Sequence, residues 1–192
     1  MRGWEELERD CKNCRRCVLY ETRKNVVFGV GDRSAKILFV GEGPGEQEDL
    51  TGEPFVGRAG QLLDDMMHMI GLDRERVYIA NIVKCRPPKN RDPLEVEQDA
   101  CIDYLREQTA LLRPEIIVCL GRISAMKLIK PDFKITREHG AWFDKGGVKM
   151  MAIYHPAALL RDPRKRPETF EDLKRLQQAA RELCPGSIVE PY

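Results

Sequence analysis

The sequence predicts an α/β fold in which a mostly parallel sheet of four strands carries helices on both faces. Three observations point to it. Short apolar runs alternate with amphipathic segments along the chain, as strand–helix–strand units do. The runs are apolar throughout, the pattern of strands buried on both faces. Three of them end at a glycine or a proline, where a loop leaves the sheet.

The elements follow in order. Residues 4–11 form a short charged helix that runs into a group of cysteines. Residues 36–40 (KILFV) are the first strand and end at Gly41. Leu62, Leu63, Met66, Met67 and Ile70 recur at helical spacing before Gly71, which gives a helix over 58–70. Residues 77–83 are the second strand. The proline-punctuated loop 85–93 leads into a helix with Asp92 as N-cap and Pro93 at its first position. Residues 115–119 make the third strand, broken at Leu120-Gly121 and followed by a helix. Residues 149–154 make the fourth strand, which ends at His155-Pro156, and a last helix runs from Pro167 to about Leu183.

The 192 residues, 42% of them apolar, suit one domain spanning 1–192. With 32 Lys and Arg against 31 Asp and Glu, the net charge of +1 excludes a polybasic tail protein but not a one-sided basic surface. No apolar run approaches the ~18 residues of a membrane span, and the N-terminus does not read as a signal sequence. A cytoplasmic protein without membrane contact is expected.

Seven cysteines, an odd number without a secretory segment, argue against a disulfide framework. Cys11, Cys14 and Cys17 form C-x2-C-x2-C, and Cys85 and Cys101 lie downstream, one in the loop and one on the helix after it. Four such thiolates suit a zinc ion or an iron–sulfur cluster. Spacing alone separates neither these two groups nor the pairs Cys11/Cys14 and Cys14/Cys17. Either site would tie the N-terminal segment to the proline-rich loop. Cys119 and Cys184 read as ordinary small residues.

In a parallel sheet, ligands bind beyond the carboxyl ends of the strands, and the informative residues fall there. The loop 41–49 (GEGPGEQED) lacks the lysine of a phosphate loop and the pattern of a dinucleotide loop. What remains is a turn whose glycines let backbone N–H groups approach a ligand, with Glu42, Glu46, Glu48 and Asp49 beside it. Phe55, in a loop between glycines, can plug a core edge or offer a stacking platform. Asn81, inside an apolar strand, needs a partner for its amide and can read one edge of a nucleobase. His155, before a proline at a strand end, can donate to a developing oxyanion, a setting His68 and His139 lack. Lys84, Arg86, Lys89 and Arg91, with Arg161, Arg164, Lys165 and Arg166, form two basic clusters that would suit a phosphate backbone.

Taken together, NCRRC (13–17), GEGPGEQED (41–49), TGEPFVGRAGQLL (51–63), YIANIVKCRPPKNRDP (78–93) and YHPAALLR (154–161) resemble family 4 uracil-DNA glycosylases. These are the iron–sulfur branch of the uracil-DNA glycosylase superfamily, and the match is collinear from about residue 11 to 175. The resemblance implies a three-layer α/β/α sandwich with a central four-stranded parallel sheet. It implies a [4Fe–4S] cluster on Cys14, Cys17, Cys85 and Cys101, with Cys11 an extra thiol. It further implies a monomeric, monofunctional glycosylase of base excision repair that acts on uracil in single- and double-stranded DNA at the nucleoid.

By the same resemblance, Gly41, Glu42, Gly43, Glu48, Phe55, Asn81 and His155 would surround uracil. Phe55 would stack on the base, Asn81 would bond its O4/N3–H edge, and His155 would donate to O2. Glu42 would hold or activate water, and Glu48 would crowd C5 so that thymine is refused. Leu159, Leu160 and Arg161 would probe the minor groove, and Arg86 would meet DNA. Better-known relatives carry an Asp as water activator where this chain has Gly43, which leaves Glu42 as the candidate base. The covalently trapping relatives carry an inserted His-containing stretch, whereas residues 86–93 contain no His, so no covalent adduct is expected.

An electron carrier built on the cluster would leave Asn81, Phe55 and His155 without work. A zinc-stapled nucleic-acid-binding module without turnover is the other alternative.

Overall fold

The computed structural model describes residues 2–189. Helix α1 (Trp4–Lys12) leads into β1 (Val30–Gly31), β2 (Ile37–Gly41), the short α2 (Glu46–Thr51), α3 (Arg58–Met69) and β3 (Tyr78–Asn81). Next come α4 (Glu95–Leu112), β4 (Ile116–Leu120), α5 (Arg122–Leu128) and α6 (Ile135–Glu138). The chain closes with β5 (Trp142–Lys145), β6 (Val148–Ile153), α7 (Pro156–Arg161) and α8 (Arg166–Leu183).

One sheet runs through the described residues in the order β1-β3-β2-β4-β6-β5. Its four inner strands are parallel, as the apolar runs predict. The sheet has six strands rather than four, because an antiparallel strand is added at each edge. Neither edge strand carries an apolar run. β1 is two residues long, and β5 is half solvated, pairing with β6 as a hairpin. The signal for that hairpin is Gly146-Gly147, both at positive φ (61° and 85°), as a tight turn between two strands requires.

Alternation along the inner strands splits the core into two layers. Leu38, Val40, Ala80, Ile117 and Cys119 pack under α1 and α4. Ile37, Phe39, Ile79, Val118 and Ile153 pack under α3, α7 and α8. The three-layer sandwich follows. Among the described residues, no helix is long and apolar enough to cross a membrane.

Helix α4 starts later than the sequence predicts. Its N-cap is Leu94, not Asp92, and Pro93 precedes it. The Glu97 carboxylate reaches back to the Leu94 N–H (2.8 Å) and takes both Arg91 guanidinium nitrogens at 2.9 and 2.6 Å. With the Glu97 N–H returning to the Leu94 carbonyl at 3.0 Å, the Glu97 carboxylate caps the helix in place of an Asp side chain.

Candidate active site

The carboxyl ends of β2, β3, β4 and β6 meet at one edge, because Gly41 stands beside Asn81 and Leu120 beside Ile153 in the registers. A cleft of about 410 Å³ opens there. Glu42, Glu48, Phe55, Asn81, Asp92 and His155 are among its walls.

Asn81 is 2% exposed, and its Oδ1 has no hydrogen-bond partner. A buried acceptor left unpaired is costly in a resting fold, and a ligand donor in the cleft would relieve that cost. Gly41 makes room for this amide. A Cβ there would stand 2.4 Å from Asn81 Oδ1 and 2.5 Å from the Phe55 ring. No residue with a side chain fits at 41.

Phe55 is buried at φ +54°, a left-handed conformation that a non-glycine residue adopts only when its surroundings impose it. The surroundings are on view. Arg74 donates to the carbonyls of Pro54 (2.9 Å) and Phe55 and is itself held by Asp64 (2.7 Å). Gly60 admits the Phe55 backbone, since a Cβ there would lie 1.8 Å from the Phe55 carbonyl oxygen. The Phe55 ring lies 5.6 Å from the His155 ring, tilted by 31°.

His155 Nδ1 accepts from the Ala157 backbone N–H at 3.0 Å. Burial, and then the charge of Arg161, lower its pKa to about 4. At neutral pH the imidazole is therefore uncharged, and with Nδ1 an acceptor the proton sits on Nε2. The side chain is a neutral donor.

Glu42 leaves the end of β2 and stands against the turn into α5, where the Ile123 N–H favours its charged form. Burial, aided by the charge of Asp92, raises its pKa to about 7. Gly121, in sequence only the end of a strand, makes room here. At φ +92° its Cβ would stand 2.7 Å from Glu42 Oε1 and 3.0 Å from His155 Cβ. Its place after a strand, like that of Gly41, was the available signal.

Other residues of the sequence prediction make contacts of their own. Glu48 Oε1 accepts the backbone N–H groups of Val56 (3.1 Å) and Gly57 (3.2 Å), so this carboxylate ties α2 to the Phe55 loop while lining the cleft. Asp49 is buried away from the cleft and caps the Lys24 and Asn25 N–H groups at 2.8 and 3.2 Å. Leu159 is 1% exposed and packs into the core beneath α7, so its side chain is not offered to a partner, whereas Leu160 is half-buried and Arg161 exposed. Arg86 is half-buried and braces the proline-rich loop through Asn90 Oδ1 (2.7 Å). Lys84 is no loop cation: it is 1% exposed, with Nζ bonded to Gln108 at 2.7 Å.

Five thiols, those of Cys11, Cys14, Cys17, Cys85 and Cys101, line a second void between α1, α4 and the loop after β3. N–H groups point at two of the sulfurs. Arg23 donates to Cys85 Sγ at 3.4 Å, and the Lys84 N–H donates to Cys101 Sγ at 3.3 Å. Burial pushes the Cys85 and Cys17 thiols up, and that of Cys101 to about 11. Among the described residues, no three such groups stand close enough to hold one metal ion. In a cubane cluster each thiolate binds a different iron, so the sulfurs surround a void of this kind instead of converging on a point. Cys119 and Cys184 are buried elsewhere in the core.

An α/β sandwich with a polar cleft at its strand ends and a thiol-lined void beside it defines a class, and the comparisons agree. The model of the uracil DNA glycosylase superfamily matches residues 28–179, and the chain belongs to that superfamily. Within it the chain falls in the type-4 branch. It is 47% identical to a type-4 uracil-DNA glycosylase of Archaeoglobus fulgidus, over 96% of this chain and 94% of the relative. It is 42% identical to the type-4 enzyme of Sulfurisphaera tokodaii, over 94% and 86% of the two chains. A third type-4 relative, from Thermotoga maritima, is 46% identical over 79% of this chain and 80% of its own.

Proposed function

We propose that this chain removes uracil from DNA by hydrolysing the N-glycosidic bond, leaving free uracil and an abasic site in an unbroken strand. The observation that carries the reading is the unpaired, buried Asn81 Oδ1 facing the same cleft as a neutral His155. Uracil supplies the missing donor through N3–H, and the Asn81 amide N–H meets O4. Cytosine inverts both groups, so both bonds are lost and the amide stays unpaired.

The base must first leave the stack, at a cost of a few kcal/mol that is least where it is mispaired. Phe55 then stacks on it. As the C1′–N1 bond breaks, the electron pair stays on uracil, and the anion forms in a site with little water. His155 Nε2–H donates to O2, and backbone N–H groups around Gly41 and Gly43 approach the base. A water adds its oxygen to C1′ and gives its proton to Glu42. Glu48 stands where a C5 methyl would go, and Leu160 and Arg161, with Arg86 near the proline-rich loop, contact DNA on either side. One chain suffices for this site, so a monomer acting on single- and double-stranded DNA at the cytoplasmic nucleoid is the working form.

The thiol-lined void fits a [4Fe–4S] cluster, held by Cys14, Cys17, Cys85 and Cys101. Such a cluster braces the fold by joining the N-terminal segment to β3 and α4. Cys11 is a fifth thiol in its wall.

The test incubates the protein with a labelled oligonucleotide carrying one uracil. Free uracil, with a strand that breaks only after alkali, is the expected result. A strand cut before alkali, or no uracil, overturns the reading. Iron and sulfide assays on the same protein should give about four of each per chain, and zinc in their place overturns the cluster assignment.

A further inference from the structure

Glu42 is faced from several sides. From the turn into α5 come Gly121, the Ile123 N–H and Arg122; from the loop before α4, Asp92; from α7 and its N-cap, Arg161 and His155. Asp92 and Arg122 form an ion pair that links the proline-rich loop to the first residue of α5.

Neither helix accounts for that pair. Arg122 stands at the first position of α5, where unbonded N–H groups favour an anion over a cation. Asp92 caps nothing, since Leu94 is the N-cap of α4. Both side chains are about half exposed (52% and 53%), so the pair contributes under ~1 kcal/mol to stability. What distinguishes it is position: Asp92 lines the same cleft as the half-buried Glu42, and Arg122 directly follows Gly121, where a Cβ would stand 2.7 Å from Glu42 Oε1.

We propose that Asp92 and Arg122 are positioning residues for Glu42, a balanced pair of opposite charges that sets how readily its carboxylate accepts the proton of the attacking water. The proposal rests on the reading of Glu42 as the group that holds that water. Asp92 opposes ionisation of Glu42, while Arg122, together with Arg161, favours it; His155, being neutral, adds no charge. Neutralising one member of the pair must therefore move Glu42 one way, and neutralising the other must move it the opposite way. A merely structural tie between the two loops would respond alike to both losses.

The experiment measures single-turnover uracil release against pH for the unmodified chain and for Glu42→Gln, Asp92→Asn, Arg122→Gln and the Asp92→Asn/Arg122→Gln double variant. Release by the unmodified chain should rise with pH along an acidic limb that Glu42→Gln abolishes. Asp92→Asn should move the limb to lower pH by about half a unit, and Arg122→Gln to higher pH by a similar amount. The double variant should return near the parent. The carboxyl titration of Glu42, followed by carbon-13 NMR in each folded variant, should show the same opposed shifts without turnover. Shifts in the same direction, or no shift while Glu42→Gln removes the limb, overturn the proposal. So does a limb that survives Glu42→Gln. Failure of the unmodified chain to release uracil at any pH instead overturns the activity reading, so the two failures are distinguishable.

Discussion

At Asn81 an acceptor is buried without a partner, and at Gly41 the absence of a side chain keeps that acceptor open to the cleft. Gly41→Ala should press a methyl group against the amide and the Phe55 ring. Overpacking of this sort costs ~1–3 kcal/mol, to be read by denaturant unfolding, and uracil release should fall with it. The pH behaviour follows from two side chains pushed in opposite directions. His155 stays neutral down to about pH 4. Glu42, raised to about 7, must be ionised to take a proton, so release should rise as pH increases through neutrality. Stability carries the signs as well. A carboxyl whose folded pKa lies above its unfolded value weakens the fold as pH climbs from the ordinary carboxylate range to about 7. Glu42→Gln should therefore raise Tm at pH 8 relative to the parent and leave it nearly unchanged at pH 4. His155 has the opposite profile: stability present above its ordinary pKa of about 6.5 is lost as pH falls through about 4.

Three of the four inner strands, β2, β3 and β6, bring Glu42, Asn81 and His155 to the sheet's carboxyl edge, and β4 ends there at Gly121, which leaves room for two of them. The helices hold the loops between them, and α4 shows how this depends on its cap. Glu97 is buried, with its pKa held below the usual carboxylate range by Arg91 and then by the Leu94 N–H. Glu97→Ala should cost ~1–2 kcal/mol in denaturant unfolding and loosen the segment that presents Cys101. The inner strands and longer helices were legible because an apolar run or a 3.6-residue period writes burial directly into the sequence. The start of α4 was not, because Asp92-Pro93 imitates a cap while the capping group lies at Glu97, recognisable only through its bond to Leu94. The edge strands β1 and β5 escaped because half-solvated strands need no apolar run. Within the site, Asn81, Phe55 and His155 stood out as residue types at odds with their local setting. Gly121, Arg74 and the Asp92–Arg122 pair did not, since their roles depend on contacts between distant segments. Leu159 misled because a run of two leucines before Arg161 does not say which one turns inward.

Across the whole molecule, Cys11, Cys14 and Cys17 of the N-terminal segment, Cys85 of the loop after β3 and Cys101 of α4 line one void, which the proposed cluster would use to join the three, and that loop in turn forms one wall of the cleft. Removing iron by oxidation and chelation should lower Tm and expose the N-terminal segment to protease before the sheet is cut, as followed by mass spectrometry of the fragments. The void and the cleft both bear on the proposed activity, in which Asn81 would recognise a single extruded uracil and His155 would stabilise its departing charge. The most direct test is single-turnover release of uracil from one oligonucleotide by the unmodified chain, Asn81→Ala and His155→Ala, with folding of each checked by circular dichroism. Rates lower by ~10²–10³-fold in both folded variants are expected, the loss that follows removal of one preorganised donor. Equal rates in all three would contradict the claim.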